Sequence, residues 1–107
     1  MWVGRTLRSG TRIEFPGNIV VMGDVNPGAE VIASGNVLVW GRVRGLVHAG
    51  AAGDASACVC GLDLSAAQIR IGGAAATPSK RSGEARPEKF FLADGIIKSE
   101  TWQTNQS

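Results

Sequence analysis

The hydrophobic positions of this chain alternate in short runs. Ile19 and Val21 are followed by Val25, then by Ala29, Val31 and Ala33, with polar or small residues between them. This is the two-residue period of a strand, and no 3, 4, 7 helical spacing fits it. Each run is only two to five residues long and is broken by Gly23, by Pro27-Gly28 or by Ser34-Gly35, which favour tight or left-handed turns. The same pattern returns 18 residues later, with Gly17-Asn18-Ile19-Val20-Val21-Met22-Gly23 lying over Gly35-Asn36-Val37-Leu38-Val39-Trp40-Gly41. Val25 then falls on Val43, Ala29 on Val47 and Val31 on Ala49. Gly53-Asp54 opens a third copy in which Ala55 and Ala57 stand for Val37 and Val39. Backwards, Leu7 falls on Val25 and Ile13 on Val31, so the repeat covers residues 5 to 72.

Equivalent residues at a fixed step ask for parallel stacking of like on like, because no single repeat can bury its apolar face alone. The predicted fold is all-β: a right-handed, three-sided parallel β-helix with about 18 residues per coil, closed by a C-terminal hairpin. An aliphatic residue every six positions (Ile19, Val25, Val31, Val37, Val43, Ala49) would also suit a left-handed hexapeptide helix. Pro27 and Gly45 break its second lattice, and the inward pairs Ile19/Val21 and Val37/Val39 favour the right-handed form. The predicted interior ladders are Ile19, Val37 and Ala55; Val21, Val39 and Ala57; Leu7, Val25 and Val43; and Ile13, Val31 and Ala49.

One domain is expected, with coils over 1–72 and a flexible loop over 73–87, where small, polar and breaking residues concentrate. A hairpin over 88–100 turns at Asp94-Gly95 and packs back on the coils, and 101–107 form a frayed tail.

The outward positions are of two kinds. Val20 above Leu38, and Met22 above Trp40 above Cys58, make an exposed apolar stripe, which points to a homodimer interface or a seat for the tail. The other columns are polar: Arg8, Asn26 and Arg44; Gly10, Gly28 and Leu46; Arg12, Glu30 and His48. They would gather Arg8, Arg12, Arg44, Glu30 and His48 on one face beside glycine backbone, a surface suited to a polar protein partner.

Composition narrows the classes. At 107 residues, 44% hydrophobic and 19% charged, the chain suits one modest core, and its fifteen glycines serve turns because no three-residue collagen phase is present. A net charge of +2, with the basic residues neither clustered nor interleaved with aromatics, argues against nucleic acid. No apolar run approaches a membrane span and no secretory h-region opens the chain, so cytoplasm is the expected compartment. Cys58 and Cys60, without a second pair or a nearby His, suggest reduced thiols rather than a metal site. A lone His48 lacks an orienting carboxylate beyond Glu30, and Gly23–Gly28 has neither the Lys nor the helix of a phosphate loop. No cofactor and no catalysis are expected.

In Arg8-Ser9-Gly10-Thr11-Arg12-Ile13, in Gly23-Asp24-Val25-Asn26-Pro27-Gly28-Ala29-Glu30-Val31-Ile32-Ala33, in Gly35 to Gly41 and in Arg44-Gly45, the chain resembles the C-terminal domain of the bacterial septum site-determining protein MinC. The resemblance runs from about Leu7 to Gly72 and extends to the hairpin. It implies a β-helix that dimerises through one face and binds the membrane-associated, ATP-bound ATPase MinD through another. It further implies that the complex keeps the tubulin-like protein FtsZ from building a septum at wrong sites, with direct FtsZ contact possible and membrane contact only through MinD. The family's partner motif matches at Arg8, Ser9 and Gly10, with Thr11 where the family usually has Gln; further contacts map onto Gly28, Glu30 and Arg44. Leu46 stands where a basic residue is common. The family's N-terminal inhibitory domain is not represented, so a fragment or a reduced member is expected. The alternative is a polymer of the bactofilin kind.

Overall fold

In a computed structural model, which describes residues 1–78 and 86–102, the chain winds as a parallel β-solenoid, and no helix occurs among the described residues. The first coil comprises β1 (Trp2–Val3) and β2 (Arg12–Phe15), and the second β3 (Ile19–Val21) and β4 (Glu30–Ala33). The third has β5 (Val37–Arg42) and β6 (Leu46–Ala49), the fourth β7 (Cys58–Asp63) and β8 (Gln68–Ile71). Three antiparallel strands follow: β9 (Ala74–Ala76), β10 (Glu88–Ala93) and β11 (Ile96–Thr101). One sheet runs β1-β3-β5-β7-β10-β11 and the other β2-β4-β6-β8-β9. The third side is a single column of bridges, Leu7 to Val25 to Val43. Its amides bond to the next coil on both sides, Leu7 N–H to the Asp24 carbonyl at 2.8 Å and Asn26 N–H to that of Leu7 at 3.0 Å.

The alternation read from the sequence is the packing seen. Ile19, Val21, Val25, Val31, Val37, Val39, Val43 and Val47 are fully enclosed, and each such side chain contributes about 1.5–3 kcal/mol of apolar burial. Side chains also tie one coil to the next where the path turns. Asn18 Oδ1 accepts the Asn36 amide at 2.8 Å, and Asn36 Oδ1 accepts that of Cys58 at 2.9 Å. Asp24 Oδ1 likewise accepts the Arg42 amide at 2.8 Å. The Gly-Asn repeat follows from this ladder: a Cβ on Gly35 would occupy the space of Asn18 Oδ1.

The step of 18 holds for the first two coils, where Ile13 faces Val31 and Ile19 faces Val37. It then fails twice. Val31 faces Val47, 16 residues on, because Arg44-Gly45 crosses in two residues a corner that Asn26–Ala29 crosses in four. Val37 faces Val59, 22 residues on, because the connection from Ala49 to Val59 is six residues longer than that from Ala33 to Val37. The interior ladders are therefore Ile19–Val37–Val59 and Ile13–Val31–Val47–Ile69, correcting the expected places of Ala55 and Ala49. Gly61, not Ala57, follows Val21 and Val39. Gly53-Asp54 is not a third Gly-Asn corner; Asp54 Oδ1 accepts the Ser56 amide at 2.9 Å and so closes its own loop.

The hairpin closes the last coil as expected. β10 pairs antiparallel with β7, and Phe90, facing Val59, is buried at the end of the Ile19–Val37–Val59 ladder. Asp94, at φ 56°, and Gly95, at φ 76°, give the left-handed turn between β10 and β11. Within the segment read as loop, Ala74–Ala76 instead form β9 against β8. The rest of that loop at 79–85, and the tail at 103–107, lie outside the described residues.

Candidate interaction surfaces

The corner between the bridge column and the second sheet carries the polar candidates. Arg8-Ser9-Gly10-Thr11 is a tight turn in which the Thr11 amide bonds to the Arg8 carbonyl at 3.0 Å, with Gly10 at φ +89°. Asn26-Pro27-Gly28-Ala29 repeats it one coil on, with an Ala29-to-Asn26 bond of 3.0 Å and Gly28 at φ +88°. Proline second and glycine third are the demands of a type II turn. The two turns stack, with the Gly10 amide donating to the Gly28 carbonyl at 3.1 Å. Gly28 lies so close beneath Ser9 that an added Cβ would collide with Ser9 Oγ. Gly45, in the third coil, is tucked under the same turn, where a Cβ would lie 2.5 Å from the Ala29 carbonyl oxygen and 2.6 Å from that of Asn26.

Stacking brings Arg8, Asn26 and Arg44 into one column, since Leu7, Val25 and Val43 precede them in register. Arg12 stands beside Glu30, and its guanidinium bridges Glu14 at 3.4 Å and Glu30 at 3.7 Å. Arg8 and Arg44 are exposed and make no ion pair among the described residues. The two-residue shortcut changes the rest of this face. Leu46, not His48, follows Glu30, and His48 sits between Ile32 and Arg70. The imidazole Nε2 of His48 is 3.0 Å from the Gly72 carbonyl oxygen, so the ring is engaged by backbone and belongs to a different column from Glu30.

The outer face of the first sheet carries the apolar candidates. Trp2, Val20, Leu38 and Cys60 form one row across the strands, continued by Lys89 and Glu100 of the hairpin. Met22 and Trp40 flank it, 38% and 43% exposed. The longer fourth coil displaces Cys58: it faces Phe91, and Cys60 takes the place beside Leu38. Cys58 is thus at the margin of the stripe rather than beneath Trp40. Two tryptophans complete the face. Trp2 is 68% exposed, and Trp102 reaches over β7 and β10 to meet the Trp40 ring edge-on, centroids 5.6 Å apart. Trp2 could have been placed by extending the 18-residue step back from Val20; Trp102 carries no such signal, since the hairpin stands outside the repeat.

The family model for the septum formation inhibitor MinC, C-terminal domain, matches residues 1–102. This chain belongs to that family. Its relatives include the probable septum site-determining protein MinC of Persephonella marina, 46% identical over 96 residues, covering 89% of this chain and 48% of the relative. The protein of the same name from Heliobacterium modesticaldum is 42% identical over 102 residues, covering 94% of this chain and 35% of the relative. The chain therefore spans about half, or less, of the length of these relatives. Among solved structures, a chain of the MinC:MinD cell division protein complex of Aquifex aeolicus superposes with a TM-score of 0.86 at 36% identity, covering 98% of this chain and 89% of that one. Membership in the septum family sets aside the end-to-end polymer.

The titrating groups of this MinC domain lie away from the polar corner. Burial works to raise Asp63, but the Ser65 hydroxyl and amide, with Arg42 and Arg44 nearby, hold its carboxyl below the ordinary value. Asp54 is held low by the hydroxyl and amide of Ser56. Among the described residues no group of three metal-ligating side chains converges, and no helix is long and apolar enough to cross a membrane.

Proposed function

We propose that this domain is a binding module of a cell-division regulator: it homodimerises through the outer face of the first sheet and docks ATP-bound MinD at the corner. Docking uses Arg8, Ser9, Gly10 and Thr11 with Gly28, Glu30 and Arg44; dimerisation uses Val20, Met22, Leu38 and Trp40, with Cys58 at the rim. The observation that carries the docking reading is the stack of two glycine turns. It presents bare backbone between two exposed, unbridged arginines, Arg8 and Arg44. Glycine there lets a partner's backbone approach, and an arginine fork matches carboxylates. The solved MinC:MinD complex of a relative supports MinD as that partner.

Thr11 offers a hydroxyl where the family's longer amide would reach further, and Leu46 beside Glu30 adds an apolar contact where a cation is usual. The domain works in the cytoplasm and reaches the inner face of the membrane through MinD. In the whole protein the complex blocks FtsZ assembly at wrong sites. The test is Arg8→Ala in an ATP-dependent pull-down with MinD. Capture is lost while the far-ultraviolet circular dichroism is unchanged; undiminished capture would move the docking site elsewhere.

A further inference from the structure

Beside the apolar stripe, where the fourth coil meets the hairpin, lies an open cleft of about 340 Å³. Cys58 lines it together with Ser56 from the long loop, Lys89 and Phe91 from β10 and Glu100 from β11. Cys58 and Cys60 flank the inward Val59, so both thiols face outward. They are not equivalent. Cys60 is only 4% exposed, whereas Cys58 is half-buried at the cleft wall. The Cys60 thiol donates a hydrogen bond to the Cys58 sulfur, and Lys89 adds positive charge to both. One sulfur is therefore a buried proton donor and the other an accessible acceptor, in a space large enough for a small ligand.

We propose that Cys58 is a modification site that takes small disulfides of the low-molecular-weight thiol class. The Cys58 thiolate attacks one sulfur of the disulfide, a new sulfur–sulfur bond forms, the old one breaks, and the other half leaves as a thiolate that takes a proton from solvent. Lys89 supplies a counter-charge for a carboxylate on the incoming group. Cys60 holds the attacking sulfur in its ionised form and is not itself attacked, because burial and its neighbour both push its thiol up.

The magnitude expected follows from ionisation. The hydrogen bond from Cys60, followed by Lys89, outweighs burial and brings Cys58 down to about 6 from an ordinary 9.0. At pH 6 the thiolate fraction rises from about 0.001 to about one half, and a Brønsted slope near 0.5 returns about thirtyfold of that gain, leaving about a tenfold faster attack.

The experiment uses the native 107-residue chain and 5,5′-dithiobis(2-nitrobenzoate) at pH 6, followed by oxidised glutathione with intact-mass and peptide mapping. One sulfur per chain reacts about tenfold faster than the same cysteine in guanidinium-unfolded chain, the adduct maps to Cys58, and Cys58→Ser loses it. Cys60→Ala moves the midpoint of the rate–pH profile upward by a unit or more. Native reactivity no greater than unfolded, an adduct on Cys60, or an unmoved midpoint in Cys60→Ala overturns the proposal. The assay needs neither MinD nor dimerisation, so its outcome is independent of the docking reading.

Discussion

Ser9 sits directly on Gly28, one coil apart, with no room between them for a methyl group: the Cβ that any other residue would carry at 28 lies 3.1 Å from Ser9 Cβ and collides with its hydroxyl. Gly10 has nearly the same backbone angle, but a Cβ there would meet nothing within 4 Å.

The two glycines therefore separate strain from crowding. Gly10→Ala carries the left-handed strain alone, about 1–2 kcal/mol. Gly28→Ala adds the clash and costs about 1 kcal/mol more, as overpacking does. Urea unfolding of the two variants measures the difference, and equal midpoints would contradict the stacked-turn geometry.

The altered register is open to a direct check. Val59 is fully enclosed opposite Val37, whereas Ala55 is exposed in the long loop. Val59→Ala destabilises by about 2–3 kcal/mol, from lost apolar burial plus the cavity left behind. Ala55→Val changes stability by less than about 0.5 kcal/mol. The reverse order would restore a uniform 18-residue step.

On the apolar face, Trp40→Asp places a charge at the centre of the proposed dimer seam. Sedimentation equilibrium at micromolar concentration gives a dimer for the parent chain and a monomer for the variant. Trp102→Ala removes only the edge-on partner of Trp40 and leaves the dimer in place. A dimeric Trp40→Asp chain would take the interface away from this sheet.

Acid unfolding tests Asp63. Its folded carboxyl titrates below the ordinary 3.8, so its contribution is present above the unfolded value and is lost as pH falls through the folded one. Between about pH 4 and pH 2 the parent chain loses stability more steeply than Asp63→Asn. Parallel acid limbs would show that Ser65 and the two arginines do not hold the carboxylate.

Much of this was readable from residue order. Alternating valines at Ile19–Val21 and Val37–Val39 force strands with one enclosed face, and Gly-Asn before each strand supplies the corner, so parallel coils followed from local chemistry alone. The Arg8–Thr11 and Asn26–Ala29 turns were equally legible, because glycine in third place meets a local backbone demand. What the pattern could not carry was the neighbour of each residue once coil length changed. Both departures, two residues fewer at Arg44-Gly45 and six more before Val59, are even numbers, and an even shift in a strand leaves every side chain on the same face while giving it a different partner. His48 and Cys58 thus kept their outward aspect but moved away from Glu30 and Trp40. Only the stacked coils decide those contacts, because cross-coil hydrogen bonds and packing, not spacing along the chain, select which strand position meets which.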